Sequence, residues 1–473
     1  MTTAPEVAPQ RRFPILAYPS FVRLWIADVF SGFGMFSINL GMQFLMIDHL
    51  GADQADIGIM RSLQWLPTLL FGLLAGVWLD RIRRRPVLIG ADTLAAVTLG
   101  TIAALALADV LTVGVLGGLI FILGTATVFA LAAQQSYLPS LVPVRVLPRA
   151  YSRIDQTMTT ADALGPLLAG FLIRAFSAPV ALAVSGATYA VSAILVLTIG
   201  RGEKSPASPG ETASPGEPSP SSEPSPSGTR RLLTDFREGA SWVYRHRTLA
   251  PYAVGLHLWF LGHSVVTTVY VFYANQDLGL NAFWVGLTVA FAGITGVIGA
   301  GVAPRLGERF GVGRICVIAD WITPLAYLGV LLAPVGTWGV VVLCGTYAVH
   351  GVGMGMKGPL ESSYRNGITP DRLRGRMNST IRTFNWGMLA ITGPVAGYMA
   401  VAWGNQAAIA VGIAVLVVAA CVVTLSPFRR AQMSEADGGD GDGDGDSDSD
   451  GGGDDDDEGV DAPHADVTDG RAG

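Results

Sequence analysis

Several ionisable side chains interrupt long apolar runs, and their types point to ion and solute handling rather than bond chemistry. Asp28 stands eight residues past Ser20, about 12 Å into its run, and Asp162 lies about 22 Å along another from Leu147. His263 and His350 occupy two further runs; His257 shares the first of these but lies roughly 120° around the helix from His263. Such groups are costly in hydrocarbon and are kept where they trade protons, bind substrate or pair with another group. Trp25, Asp28 and Gly32 fall on one helical face, where ring, charge and gap together suit a cationic or amphipathic ligand. On that reading ligand and proton compete for the Asp28 carboxylate. Asp92 and Asp320 read as hydrogen-bonded structural acids, and Lys357 with Glu361, four residues on, as mutually neutralising. No nucleophile elbow, phosphate loop, zinc spacing or nucleic-acid motif occurs, so no enzyme activity, cofactor, metal or nucleic acid is expected. An Asp446-x-Asp448-x-Asp450-Gly451 run has calcium-loop spacing, but Asp-Gly repetition generates that spacing without the flanking helices such a loop needs.

The elements that must hold these groups are membrane spans. Half of the 473 residues are hydrophobic and only 14% charged, which excludes an ordinary soluble protein. Spans of about 20 residues are predicted at 20–47, 55–79, 86–108, 111–137, 148–176 and 179–200, then at 250–274, 282–304, 313–333, 337–361, 375–401 and 404–425. Arginines gather in alternate loops, at Arg81 to Arg85, Arg145 with Arg149, Arg305 to Arg314 and Arg365 to Arg376. The other loops carry Asp48, Asp53, Asp56, Asp109 and Asp277. The positive-inside rule then predicts twelve spans with both termini in the cytoplasm, in the plasma membrane. The net charge of −6 hides a split, because residues 433–473 hold 16 of the 37 acids and one of the 31 basic groups. Residues 1–19 are read as a cytoplasmic lead, 201–230 as a Pro/Ser-rich disordered linker, 231–249 as an amphipathic surface helix, and 429–473 as a disordered acidic tail. Cys316, Cys344 and Cys421 all fall in apolar runs and read as packed thiols, with no disulfide framework.

Gly76-Val77-Trp78-Leu79-Asp80-Arg81-Ile82-Arg83-Arg84-Arg85 is a charged turn between two apolar runs. It resembles the loop between helices 2 and 3 of the major facilitator superfamily, Gly-x-x-x-Asp-Arg-x-Gly-Arg-Arg. Gly76, Asp80, Arg81, Arg84 and Arg85 fit, and Arg83 replaces a glycine. The resemblance implies a gating role, in which Asp80 and its arginines make and release bonds to the opposite half; Glu361, Arg376 and Arg382 are candidate partners.

The halves also repeat. A shift of 228 residues carries Leu50-Gly51 onto Leu278-Gly279, Gly58 onto Gly286, Ala91-Asp92 onto Ala319-Asp320 and Gly165-Pro166 onto Gly393-Pro394; Ser136-Tyr137 returns as Ser363-Tyr364 at 227. The fold class expected is therefore an all-α membrane protein of two six-helix bundles, at 20–200 and 250–428, related by a parallel repeat with the substrate site between them. Gly165-Pro166 is similar to the span 5 motif of antiporters, with Ala161 and Ala169 in place of glycines, and packing symmetry with Gly393-Pro394 accounts for it equally. Phe21-x-x-Leu24-Trp25 and Leu147-Pro148-Arg149-Ala150 resemble the drug-efflux branch that contains macrolide and enterobactin exporters. What this implies is a monomeric secondary transporter, exporting amphipathic small molecules in exchange for protons. Uptake or facilitated diffusion of a metabolite, and a non-transporting membrane sensor, are the alternatives.

Overall fold

A computed structural model describes residues 15–79, 82–200 and 228–432. The chain order is α1 (Pro19–Phe44), α2 (Gln54–Leu79), α3 (Arg84–Leu107), α4 (Val113–Leu141), α5 (Leu147–Ala175), α6 (Ala178–Leu197) and α7 (Gly228–Arg245). Then follow α8 (Leu249–Gln276), α9 (Ala282–Phe310), α10 (Val312–Leu332), α11 (Thr337–Gly367), α12 (Asp371–Trp403) and α13 (Asn405–Leu425). Apart from the short α7, every helix coincides with a predicted span, and several outrun it toward the arginine-rich loops. Nine of the helices among the described residues are long and apolar enough to cross a membrane. Of the others, α5 and α12 carry polar side chains such as Asp155 and Asn385 and line the contact between the halves, so their mean hydropathy drops.

Local chemistry starts and stops these helices as expected. Pro19, Pro148 and Pro179 sit in first turns, where no amide hydrogen is needed. Asn281 Oδ1 accepts from the amides of Phe283 at 3.1 Å and Trp284 at 3.3 Å, capping α9. Gly51 and Gly279, partners in the repeat, both adopt positive φ, at 60° and 68°, so one left-handed turn is built twice.

Within the first half α1 packs on α5 and α6, and α3 on α4 and α6; in the second, α8 packs on α13 and α12, and α9 and α10 on α11. The halves meet along two seams, α2 on α12 and α5 on α9. Both seams close by backbone approach. A Cβ on Gly58 would stand 2.3 Å from the Gly393 carbonyl oxygen, and one on Gly286 2.3 Å from that of Pro166. Ser62 Oγ donates to the Ala390 carbonyl in the first seam. These approaches use the first half of α2 and α9 and the second half of α5 and α12, so they gather at the end bearing Asp48, Asp109 and Asp277. Toward the other end Arg153, Asp155 and Gln156 of α5 are exposed.

The surface helix α7 begins at Gly228, slightly before its predicted start, and docks on protein rather than lying free. Val243 is fully buried, and Arg376 of α12 pairs with Asp235 at 2.9 Å and with Glu238. Residues 201–227 and 433–473, read above as linker and acidic tail, lie outside the described residues.

Candidate functional site

Asp28 sits inside the first bundle, 3% exposed. Its Oδ1 accepts from Gln134 Nε2 of α4, while its Oδ2 has no hydrogen-bond partner. It lines a cavity of about 50 Å³ between α1, α3, α4, α5 and α6, together with Gly32, Asp92 and Ser192. Asp92, expected to be hydrogen-bonded, takes the Ser192 hydroxyl at 2.7 Å. Trp25 does not share this space: its Nε1 donates to Thr157 Oγ1 at 2.8 Å, and its ring lines a separate groove with Phe33 and Arg153. Asp28 and Gly32 come together on the cavity, and Trp25 stands apart, its indole held by Thr157 of α5. Asp162 is not in the Asp28 cavity; it lies on the exposed face of α5, one residue from the α5–α9 seam at Ala163.

The second bundle holds a buried polar column on α8, α10 and α11. Lys357 pairs with Asp320 at 2.5 Å, not with Glu361, which instead takes the Tyr252 hydroxyl and Arg365. Lys357 Nζ lies 5.3 Å from the centre of the Trp259 ring, and Trp259 stacks on His263 at 4.6 Å. Tyr327 Oη links His263 Nδ1 at 2.9 Å to His350 Nε2 at 3.3 Å, so the two histidines expected to act singly form one cluster. A hydroxyl has one hydrogen, so one of these imidazoles must donate to Tyr327. His257 is separate, bonded to Asn385 and Tyr244.

Arg61 joins the two halves and escaped the sequence reading. Its Nη1 and Nη2 donate to the Thr267 carbonyl at 3.3 Å and hydroxyl at 3.1 Å, one helical turn from His263. The signal was a lone arginine seven residues into the second run, opposite in sign to the loop before it. Gln134, Trp259 and Tyr327 were also missed.

Of the charged turn, Asp80 and Arg81 lie outside the described residues and Gly76 is near the end of α2. Arg84 begins α3, and Arg85 donates to the carbonyls of Val196 at 3.2 Å and Leu197 at 2.7 Å, satisfying the end of α6. Two of the candidate partners of Asp80 are engaged elsewhere, Arg376 with α7 and Glu361 with Tyr252. Gly165 packs within its own bundle, where its carbonyl accepts from Ser37 at 3.1 Å, whereas Pro166 and Gly393 meet the opposite half. Outside the membrane, His246 Nδ1 accepts from the Thr248 and Leu249 amides, each at 3.3 Å, and burial holds its pKa below the usual histidine value.

Comparisons with known proteins agree on the architecture. The Multi-drug resistance efflux pump PmrA of Streptococcus pneumoniae is 23% identical over 419 residues, covering 86% of this chain and 95% of that protein. The crystal structure of nucleoside transporter NupG superposes with a TM-score of 0.68 at 15% identity, over 86% of this chain and 98% of that one. A bacterial homolog of the human lysosomal transporter Spinster, in its inward-facing and unoccupied conformation, superposes at 0.65 with 14% identity, over 89% and 98%. The sequence profile of the Major Facilitator Superfamily matches residues 24–385, and with two six-helix halves meeting at paired glycine seams, the chain belongs to that superfamily.

Proposed function

We propose that this transporter works by alternating access in the plasma membrane, exporting amphipathic small molecules in exchange for protons. The observation that carries the reading is the one-sided seal: glycine-to-carbonyl approaches close one end of both seams, while α5 presents Arg153, Asp155 and Gln156 as exposed groups toward the other. With the arginine-rich loops and both termini in the cytoplasm, the closed end faces outward. A packed seam of this kind has two discrete arrangements, so closing one end favours opening the other. Export is supported by the relative named as an efflux pump.

Size separates the roles. The Asp28 cavity is about 50 Å³, far below the roughly 300 Å³ of the smallest drug-sized pockets. Asp28 therefore serves the ion, and the organic solute binds elsewhere. The Trp65 and Trp386 rings face each other across the first seam at 5.9 Å, and Arg382 lies 5.5 Å over Trp386. That aromatic pair, contributed by both halves near the end of the seal, suits an amphipathic solute.

Flux of candidate compounds into and out of proteoliposomes under an imposed pH gradient tests the reading. Wild type is expected to move solute uphill against the proton gradient. Asp28→Asn should abolish uphill transport while downhill solute exchange remains measurable. Uphill export unchanged by Asp28→Asn, in a well-folded preparation, rules out coupling at this carboxylate; solute flux indifferent to the gradient favours facilitated diffusion.

A further inference from the structure

The internal repeat lets one bundle explain the other. In the second bundle Asp320 holds the Lys357 ammonium at 2.5 Å, and that ammonium lies 5.9 Å from the Tyr252 ring centre and 5.3 Å from that of Trp259. The 228-residue shift carries Asp320 onto Asp92, Tyr252 onto Leu24 and Trp259 onto Ser31. On α4 and α11 the shift is 227, and packing confirms it: a Cβ on Gly124 would meet the Gln64 carbonyl at 2.5 Å, and one on Gly351 the Ala292 carbonyl at 2.1 Å. Lys357 therefore corresponds to Ala130.

Leu24, Ser31, Asp92 and Ala130 all line the one cavity of about 50 Å³. The first bundle thus has a methyl group where the second has an ammonium, and a cavity where that ammonium would reach. It also relocates a carboxylate: Asp28 corresponds to Leu256, and Gln134 stands where the second bundle has Glu361, so two carboxylates remain and the cation does not. Asp28, whose Oδ2 is buried and without a hydrogen-bond partner, lines the same cavity, as do the hydroxyl-bearing residues Ser31, Thr127 and Ser192. Oxygen donors of this kind suit a hard cation. The volume admits a small ion with a water or two.

We propose that this cavity binds a monovalent cation of sodium's size, in the position that the Lys357 ammonium holds in the second bundle. The ion contacts Asp28 and Asp92, and the proton competes with it for the same carboxylates. This deepens the exchange reading above by naming a second ion at the Asp28 site, yet its test needs neither substrate nor gradient.

The experiment is thermal unfolding of the purified full-length protein in NaCl against choline chloride at equal ionic strength, with radioactive sodium binding on the same preparation. Wild type is expected to show a saturable rise in Tm on the order of 2 °C with sodium at pH 8, shrinking as the pH falls. Ala130→Lys places a cation where the second bundle has one, and Ala130→Leu fills the space; both are expected to remain folded and lose the sodium response, as is Asp28→Asn. Equal Tm in sodium and choline for wild type, a response to MgCl2 but not NaCl, or a response intact in both folded Ala130 variants would each overturn the proposal. A failure here leaves proton-coupled export to be judged by the flux experiment alone.

Discussion

His246 is the group whose chemistry is simplest to follow. Its Nδ1 accepts two backbone amides at the start of α8, which requires an unprotonated ring, and burial lowers its pKa below the ordinary 6.5. A histidine depressed in the folded state contributes stability that is complete above the unfolded value and is lost as pH falls through the folded one. The α7–α8 corner is therefore expected to loosen below about pH 6.5. Amide-exchange protection factors at Thr248 and Leu249, measured from pH 7.5 downward, should fall in wild type and show no such step in His246→Gln. Single residues were the least legible part of the chain. Asp28 was found because a carboxylate in an apolar run stands out on composition, but its surroundings were not, since helical spacing gives a face and not the neighbour it meets. Spacing put Lys357 beside Glu361, four residues away; packing gave it Asp320 from another helix, at a distance in sequence no local pattern encodes. Arg61 was hidden because an arginine count by loops has no place for one that crosses between halves.

Helices, by contrast, were legible almost throughout, because a span needs only length and hydropathy. The misfit was α7, where amphipathicity revealed a surface helix but not whether lipid or protein would cover its apolar face. The seams give the prediction at this level. Gly58→Val and Gly286→Val each place a side chain 2.3 Å or closer to a carbonyl of the opposite half, an approach no rotamer relieves because the obstacle is backbone. Each is expected to fold yet to be excluded from the sealed state, losing transport while a spin-label distance across the α2–α12 seam lengthens by several ångströms, on the order of one Cβ layer. Gly90→Val, with no atom within 4 Å of its Cβ, is the control and should be silent. Arg61→Met should weaken the same closure more mildly, removing two hydrogen bonds to Thr267 while keeping the packed stem.

For the whole molecule, the repeat was the most informative feature that sequence offered: it related the bundles, and the structure places Gly58 against Gly393 and its counterpart Gly286 against Pro166, one residue beyond the counterpart of Gly393. What no repeat could foretell is where the two copies diverge, and the Lys357–Ala130 difference is such a place. Replacing residues 205–227 with a flexible spacer of equal length is expected to leave membrane insertion and transport intact, because the segment offers no side chain more apolar than alanine; loss of insertion in that variant would assign the segment a structural task. The docking of α7 reaches further than the helix itself. Because Arg372 and Arg376 of α12 hold Asp235 and Glu238, α7 belongs mechanically to the second bundle, and the covalent junction between the two bodies lies wholly on its N-terminal side. The protein should consequently be divisible: two genes, one ending before residue 210 and one starting there, are expected to complement each other in the same cell, with a fluorophore on α7 riding as a pointer that reports how far one body has rocked against the other.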